Sequence, residues 1–180
     1  MKMTEFGGDC SEVQDQLTDV QHIYSTNRAF AALKLDGSVV AWGAGPSTFE
    51  GDHGGDCSAI QAQLAEGVQH ISSTERAFAT LKAGGSVASW GDEEWGGDCS
   101  QIQEQLARDV QHIYATNSAF AALKGDGSVV AWGNSCCGGD SQKVQAQLLD
   151  VQHSMPFQPL LLHTRLMVVW WHGANIQLRS

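Results

Sequence analysis

The sequence predicts a mainly β fold with short helices, built from repeated units that pack against one another. Three nearly identical copies of one unit fill residues 20–42, 68–90 and 110–132, each opening with Val-Gln-His-Ile and closing with Trp. Their first valines lie 48 and 42 positions apart. A repeat of this length is typical of stacked or radially arranged units, each too small to bury its own apolar face. Each copy holds three short stretches of β-forming residues, preceded by a Gln-rich segment.

A turn and a short helix are predicted at the start of each unit. Paired glycines before an aspartate favour a turn, and the first glycines are Gly7, Gly54, Gly96 and Gly138. The aspartates that follow, Asp9, Asp56, Asp98 and Asp140, are expected to support the turn or cap the helix. Ser58 is a favoured N-cap residue, and Ile60 and Leu64 lie at i and i+4. We expect one or two helical turns in each unit, with a single apolar edge that packs on the rest of the unit. These turns are predicted over residues 11–17, 58–64 and 100–106.

Three strands are predicted to follow the helix, in the first copy over residues 20–25, 29–34 and 38–42. Asp36-Gly37 lies between the last two and favours a two-residue hairpin turn, as do Gly84-Gly85 and Asp126-Gly127 in the other copies. The alanines at positions 29, 31 and 32 predict a middle strand packed on both faces. The tryptophan that ends each copy predicts a ring of large core residues.

The spacing of these residues resembles the regulator of chromosome condensation repeat family. The first copy carries Ile23, Ala32-Leu33, Asp36-Gly37, Val39 and Trp42-Gly43, and the other copies match it. Asp-Gly-x-Val-x-x-Trp-Gly is the most specific part, and the resemblance covers roughly residues 5–153. It implies that each unit is a blade of a β-propeller. Three and six residues after the isoleucine, the family has Gly and His, whereas this chain has Thr and Ala. The resemblance therefore implies the blade but not the exchange-factor activity of the family's founding member.

The repeats divide the chain into repeat 1 (1–43), repeat 2 (44–91), repeat 3 (92–133), the start of repeat 4 (134–153) and a tail (154–180). A closed propeller usually needs about four to eight blades. We therefore expect about three propeller-like blades that form an incomplete arc, plus an irregular C-terminal tail. Such a chain is predicted to be a fragment of a longer repeat protein, and the third blade to expose an outer edge prone to self-association.

The tail has the properties of an out-of-frame fourth blade. After His153 the repeat should continue as Ile-Tyr-Ala, but the chain reads Ser-Met-Pro. Loss of one base from CAT-ATC-TAT-GCC gives this change, and restoring it permits Asp-Gly-Gly-Val-Val-Ala-Trp-Gly at residues 166–173. Such a blade could come from a pseudogene, a gene-model error or a true truncation, and the alternative is an unrelated tail. The nucleotide sequence after His153 decides, since a stop codon in the restored frame would contradict the hypothesis.

Composition excludes several classes of function. The 180 residues carry 10 Lys and Arg against 20 Asp and Glu, a net charge of −10. Without a basic cluster, direct nucleic-acid binding is not expected, whereas a basic protein partner is compatible with the charge. No apolar run follows the N-terminus, and residues 155–171, the most apolar stretch, are short for a bilayer span. The five cysteines are odd in number and show no Cys-x-x-Cys spacing, which predicts reduced thiols and an intracellular protein, cytoplasmic or nuclear.

Catalytic and metal-binding motifs are not evident in the sequence. The histidine that recurs once per unit (His22, His70, His112 and His153) is spaced too widely for a typical zinc site. Calcium-binding glycine-aspartate repeats need a period of about nine residues, whereas the Gly-Gly-Asp motif of this chain occurs once per unit. Cys136-Cys137 has no adjacent Lys or Arg to lower a thiol pKa, and phosphate-loop and nucleophile-elbow motifs are missing. The sequence predicts a non-enzymatic protein-interaction module without cofactor or metal.

The loops between units are the predicted partner-binding surface. Residues 44–53 form a longer loop than their counterpart, residues 92–95. Candidate contact residues are Phe49, Glu50, His53, Glu93, Glu94 and Trp95. Alternatively, Trp95 only covers the helix of the next blade. Two alternative functions are guanine-nucleotide exchange and substrate recognition for a HECT-type ubiquitin ligase whose catalytic domain is not in this chain; a third possibility is that no functional product exists.

Overall fold

Three antiparallel sheets of three strands make up the molecule, in a computed structural model that describes residues 9–46 and 51–141. In each sheet the strands are ordered as in the sequence. The strands are β1 (Val20–Ser25), β2 (Ala29–Lys34), β3 (Val39–Gly43), β4 (Val68–Ser73), β5 (Ala77–Lys82), β6 (Val87–Gly91), β7 (Val110–Ala115), β8 (Ala119–Lys124) and β9 (Val129–Gly133). The predicted mainly β architecture with three blades is confirmed.

The helices are short, and the two that precede β4 and β7 carry one buried leucine each. Ser58–Ile60 is a 3-10 helix that continues into α1 (Gln61–Leu64), and Ser100–Ile102 continues into α2 (Gln103–Leu106). Further 3-10 helices are Gln14–Gln16, Glu93–Trp95 and Ser135–Cys137. Leu64 and Leu106 are fully buried, as expected from the i,i+4 pattern. Among the described residues, no helix is long and apolar enough to cross a membrane.

The predicted serine N-cap is wrong, because the side chain of the aspartate two residues earlier accepts the capping hydrogen bond. The Oδ1 atom of Asp56 accepts the Ser58 backbone N–H at 2.8 Å, and that of Asp98 accepts the Ser100 N–H at 2.7 Å. The N-cap residue Cys57 makes no capping hydrogen bond through its side chain. The Gly-Gly-Asp motif therefore both turns the chain and starts the helix.

The hairpin between β2 and β3 has three loop residues, so the predicted two-residue turn is wrong. Leu33 pairs with Val39, and the Lys34 N–H donates to the Ser38 carbonyl at 2.9 Å. The Gly37 N–H closes the turn on the Lys34 carbonyl at 3.0 Å, with Gly37 at φ 79°. This is a β-turn followed by one left-handed residue, a common three-residue hairpin loop. Asp36 has no positive φ and instead accepts two hydrogen bonds from Ser38, which lower the pKa of its carboxyl group.

The blades stack in the same orientation, so that one face of each sheet packs on the opposite face of the next sheet. We call the alanine-rich face the small face and the face with Ile, Phe and Trp the large face. The first interface joins the small face of blade 1 to blade 2 through Ala29, Ala31, Leu33, Val39 and Ala41 on one side and Cys57, Leu64, Val68, Ile71, Phe78 and Trp90 on the other. Equivalent residues form the core between blades 2 and 3. The middle strand is thus buried on both faces, as predicted.

A stacked Phe–Trp pair lies at the centre of each large face. Ring centroids of Phe78 and Trp90 are 5.0 Å apart, and those of Phe120 and Trp132 are 5.2 Å apart. The indole Nε1 of Trp90 donates to the Gly54 carbonyl at 2.9 Å, and that of Trp132 donates to the Gly96 carbonyl at 3.0 Å. The Gly-Gly turn that follows one blade is therefore the seat for the Phe–Trp pair of the next blade.

Candidate functional site

The loops between blades and the turns between each first and second strand lie at one end of the sheets. Backbone hydrogen bonds join them: Ala44 N–H to the Arg28 carbonyl at 3.0 Å, and Asp92 N–H to the Arg76 carbonyl at 3.1 Å. We define the loop surface as residues 26–28, 51–54, 74–76 and 92–95. It contains four of the predicted contact residues, whereas Phe49 and Glu50 lie outside the described residues.

One threonine per blade holds each turn to the loop that follows the blade. The Thr74 Oγ1 atom accepts the Ala77 N–H at 3.0 Å and donates to the Trp95 carbonyl at 3.0 Å. Thr26 makes the same bonds to Ala29 and to the His53 carbonyl. These threonines occupy the positions at which the chain departs from the family pattern, and sequence reasoning missed their role. Their recurrence three residues before an alanine in every unit was the available signal.

Replacing Thr74 with valine is expected to destabilise the chain by about 1–3 kcal/mol, because the buried Ala77 N–H loses its side-chain acceptor. The fall should appear as a lower urea midpoint with an unchanged m-value. Thr74→Ser keeps the hydroxyl and should recover most of the loss. Since valine keeps the methyl group of threonine and serine keeps its hydroxyl, equal destabilisation by the two would show that the hydrogen bonds do not set the effect.

Within the loop surface, the side chain of His53 is buried. The residue is 3% exposed, and its Nδ1 atom has no hydrogen-bond partner among the described residues. Burial lowers the pKa of His53, and the nearby charges of Arg76 and Arg28 lower it further, so the imidazole is neutral near pH 7. Contact between His53 and a partner would require the loop to open. Its role as a contact residue stays a prediction.

The side chain of Trp95 is held in place by the guanidinium group of Arg76, which is paired with Asp92, and by packing against the core. The Arg76 guanidinium carbon lies 5.0 Å from the centroid of the Trp95 ring, and Arg76 Nη1 lies 3.6 Å from Asp92 Oδ2. Asp92 Oδ1 also accepts the Glu94 N–H at 3.0 Å and so caps the short helix. Trp95 is partly exposed and packs against the core between blades 2 and 3. It therefore covers the next blade and keeps an accessible edge.

The exposed part of the loop surface is acidic. Glu93 and Glu94 are exposed next to Trp95. The pKa of Asp52 is raised by burial, and the neighbouring Asp56 and Asp92 raise it further against the opposing hydrogen bond from the Gly54 N–H. Carboxylates outnumber guanidinium groups on this surface: Asp52, Glu75, Asp92, Glu93 and Glu94 against Arg28 and Arg76.

The recurrent histidines lie on the first strands, which contact one another between neighbouring blades. His22, His70 and His112 are exposed, and the Tyr24 Oη lies 3.3 Å from His70 Nδ1. Within residues 9–46 and 51–141, no group of three or more His, Cys, Asp or Glu is placed to hold a metal. The cysteines described are free thiols, with Cys57 and Cys99 buried and Cys136 exposed.

Parts of several solved structures match the chain. Prp20p from Saccharomyces cerevisiae, in a study of its binding to Gsp1p and histones, matches with 22% identity and a TM-score of 0.47, covering 66% of this chain and 32% of that one. Human WBSCR16 matches with 16% identity and a TM-score of 0.43, covering 63% and 33%. Yeast RCC1 (Prp20) bound to Kap60 matches with 20% identity and a TM-score of 0.43, covering 63% and 29%. The chain thus spans about a third of these proteins.

Yeast RCC1 (Prp20) carries the name of the repeat family that the sequence resembles. No protein-family model and no curated protein sequence matches the chain.

Proposed function

We propose that the chain is a non-enzymatic interaction module that binds a basic protein segment at the loop surface. The observation that carries this proposal is the position of Glu93 and Glu94, exposed beside the accessible edge of Trp95. An aromatic side chain held by packing supplies contact area at little entropic cost, while the carboxylates select positively charged groups. The net charge of −10 increases the rate of encounter with a basic partner.

Reversing the charge of both glutamates is expected to weaken the binding of a labelled octa-arginine peptide by about fivefold, since exposed charge pairs contribute up to about 1 kcal/mol each. Fluorescence anisotropy of Glu93→Lys/Glu94→Lys measures the change, and the effect should shrink as salt is added. The matched control is Glu66→Lys/Glu104→Lys, which makes the same change in net charge at exposed positions outside the loop surface. Equal weakening by both variants would show that net charge alone attracts the peptide and would contradict the proposed site.

The other functional interpretations of the sequence remain predictions. Nucleotide exchange, substrate recognition for a ubiquitin ligase, an intracellular location and pairing through a free strand edge rest on the sequence alone. The tail hypothesis concerns residues 154–180, which lie outside the described residues.

A further inference from the structure

Trp95 already binds a guanidinium group of its own chain. The guanidinium carbon of Arg76 lies 5.0 Å from the centroid of the Trp95 ring, which is within the range of a cation–π contact. The side chain of Arg76 is 35% exposed, so the place that it holds over the ring opens to solvent. Trp95 itself packs against the core between blades 2 and 3. A second guanidinium group would therefore reach the face of this ring by taking the place of Arg76.

The ion pair that holds Arg76 beside Asp92 is loose. Arg76 Nη1 lies 3.6 Å from Asp92 Oδ2, which is longer than the distance of about 2.8 Å in a charge-assisted hydrogen bond. Asp92 Oδ1 accepts the Glu94 N–H at 3.0 Å, so this carboxylate stays in position when Arg76 moves. Partly exposed ion pairs contribute little to stability. The loss of the pair between Arg76 and Asp92 is therefore a small obstacle to a competing cation.

The carboxylates beside the ring suit an arginine better than a lysine. Glu93 and Glu94 are exposed on the same short helix as Trp95, and Asp92 precedes them. An arginine side chain can stack its planar group on an indole and pair with a carboxylate at the same time. The ammonium group of lysine is a compact point charge without a planar face. The arrangement that holds Arg76 would therefore also select an arginine of a partner.

Of the three loops that follow the blades, one combines a tryptophan with an arginine. By the repeat, His53 takes the place of Trp95 after blade 1, and its side chain is buried. Cys137 takes that place after blade 3, where Ser118 stands at the position of Arg76. The contact between a guanidinium group and an indole is thus specific to the loop after blade 2.

We propose that the loop surface binds arginine in preference to lysine, and that Arg76 is an internal competitor which an arginine of the partner displaces from Trp95. This inference rests on the proposed function, because it concerns the ligand of the same surface. With Arg76 in place, a cation of the chain itself occupies the ring, which lowers the affinity for the partner. On binding, the guanidinium group of the partner takes over the contact with the ring and the pairing with Asp92.

Fluorescence anisotropy of the full chain with labelled octa-arginine and octa-lysine tests the proposal. Arg76→Gln should tighten the binding of octa-arginine about two- to fivefold more than Arg28→Gln does, which is the range of one exposed cation–π contact. Arg28 holds the equivalent position in blade 1, so both variants make the same change in charge on the same surface. Octa-lysine should gain equally from the two. Far-UV circular dichroism shows whether the variants fold, and Arg76→Lys and Arg28→Lys replace them if either does not.

Equal gains for octa-arginine from Arg76→Gln and Arg28→Gln would mean that charge alone acts, which overturns the proposal. Weaker binding by Arg76→Gln overturns it too, and so does a wild-type chain that binds both peptides equally well. The charge reversal of Glu93 and Glu94 separates the two proposals. If it weakens binding beyond its control while the two arginine variants behave alike, the loop surface stands and the competition by Arg76 is wrong. If it does not, the proposed function fails, and the competition fails with it.

Discussion

Replacing Gly54 with alanine is expected to destabilise the fold by about 2–4 kcal/mol, the sum of overpacking a core and forcing alanine into a left-handed conformation. A Cβ atom there would lie 2.7 Å from Cδ2 and 2.9 Å from Cε2 of Phe78. The ring cannot retreat, because it is fully buried and stacked on Trp90. Gly96 stands in the same relation to Phe120, at 2.6 and 2.9 Å, and should respond alike.

Gly84→Ala is the matched control, since a Cβ at that hairpin position meets nothing within 4 Å and Gly84 has no positive φ. It should be neutral or stabilise the chain by up to about 1 kcal/mol through the unfolded state. Urea unfolding followed by tryptophan fluorescence measures both variants. If Gly54→Ala unfolds at the same urea concentration as Gly84→Ala, the Gly-Gly turn is not a packing seat.

Local periodicity was sufficient to predict most of each blade. The first two strands begin and end where the β-forming residues do, and Leu64 and Leu106 are buried as their i,i+4 spacing indicates. The turn length was wrong because Asp-Gly suits two hairpin types, and only strand register distinguishes them. The capping error has a similar cause: Asp56 and Ser58 are both good caps, and the backbone geometry selects between them.

Properties that depend on the position of a unit within the array could not be predicted from the repeat itself. Ile23 and Ile71 have equivalent neighbours in sequence but opposite exposure, because among the described residues only Ile71 has another blade packed over it. At the loop surface, Glu93 and Glu94 are exposed, and their role as contact residues stays a prediction. The burial of His53 depends on a bond between its carbonyl and Thr26, 27 residues away, which no local pattern reveals.

A second large loss of stability is expected when the phenylalanine of a stacked Phe–Trp pair is replaced by alanine. The size of the loss should differ between blade 1 and blade 2. Phe78→Ala removes a ring that is fully buried between blades 1 and 2 and should cost about 3–5 kcal/mol. Phe30→Ala removes the same ring from the partly exposed large face of blade 1, where water already reaches it, and should cost about 1–2 kcal/mol. Urea unfolding at a protein concentration low enough to keep the chain monomeric compares the two.

This difference between chemically identical substitutions tests whether a blade gains its stability from its own strands or from its neighbours. In an array of repeats, the free energy resides largely in the interfaces between units. Phe78 belongs to such an interface, and Phe30 belongs to none formed within the described residues. Equal losses for Phe30→Ala and Phe78→Ala would mean that each Phe–Trp stack stabilises its own sheet independently. A larger loss for Phe78→Ala would mean that the contact with blade 1 stabilises blade 2.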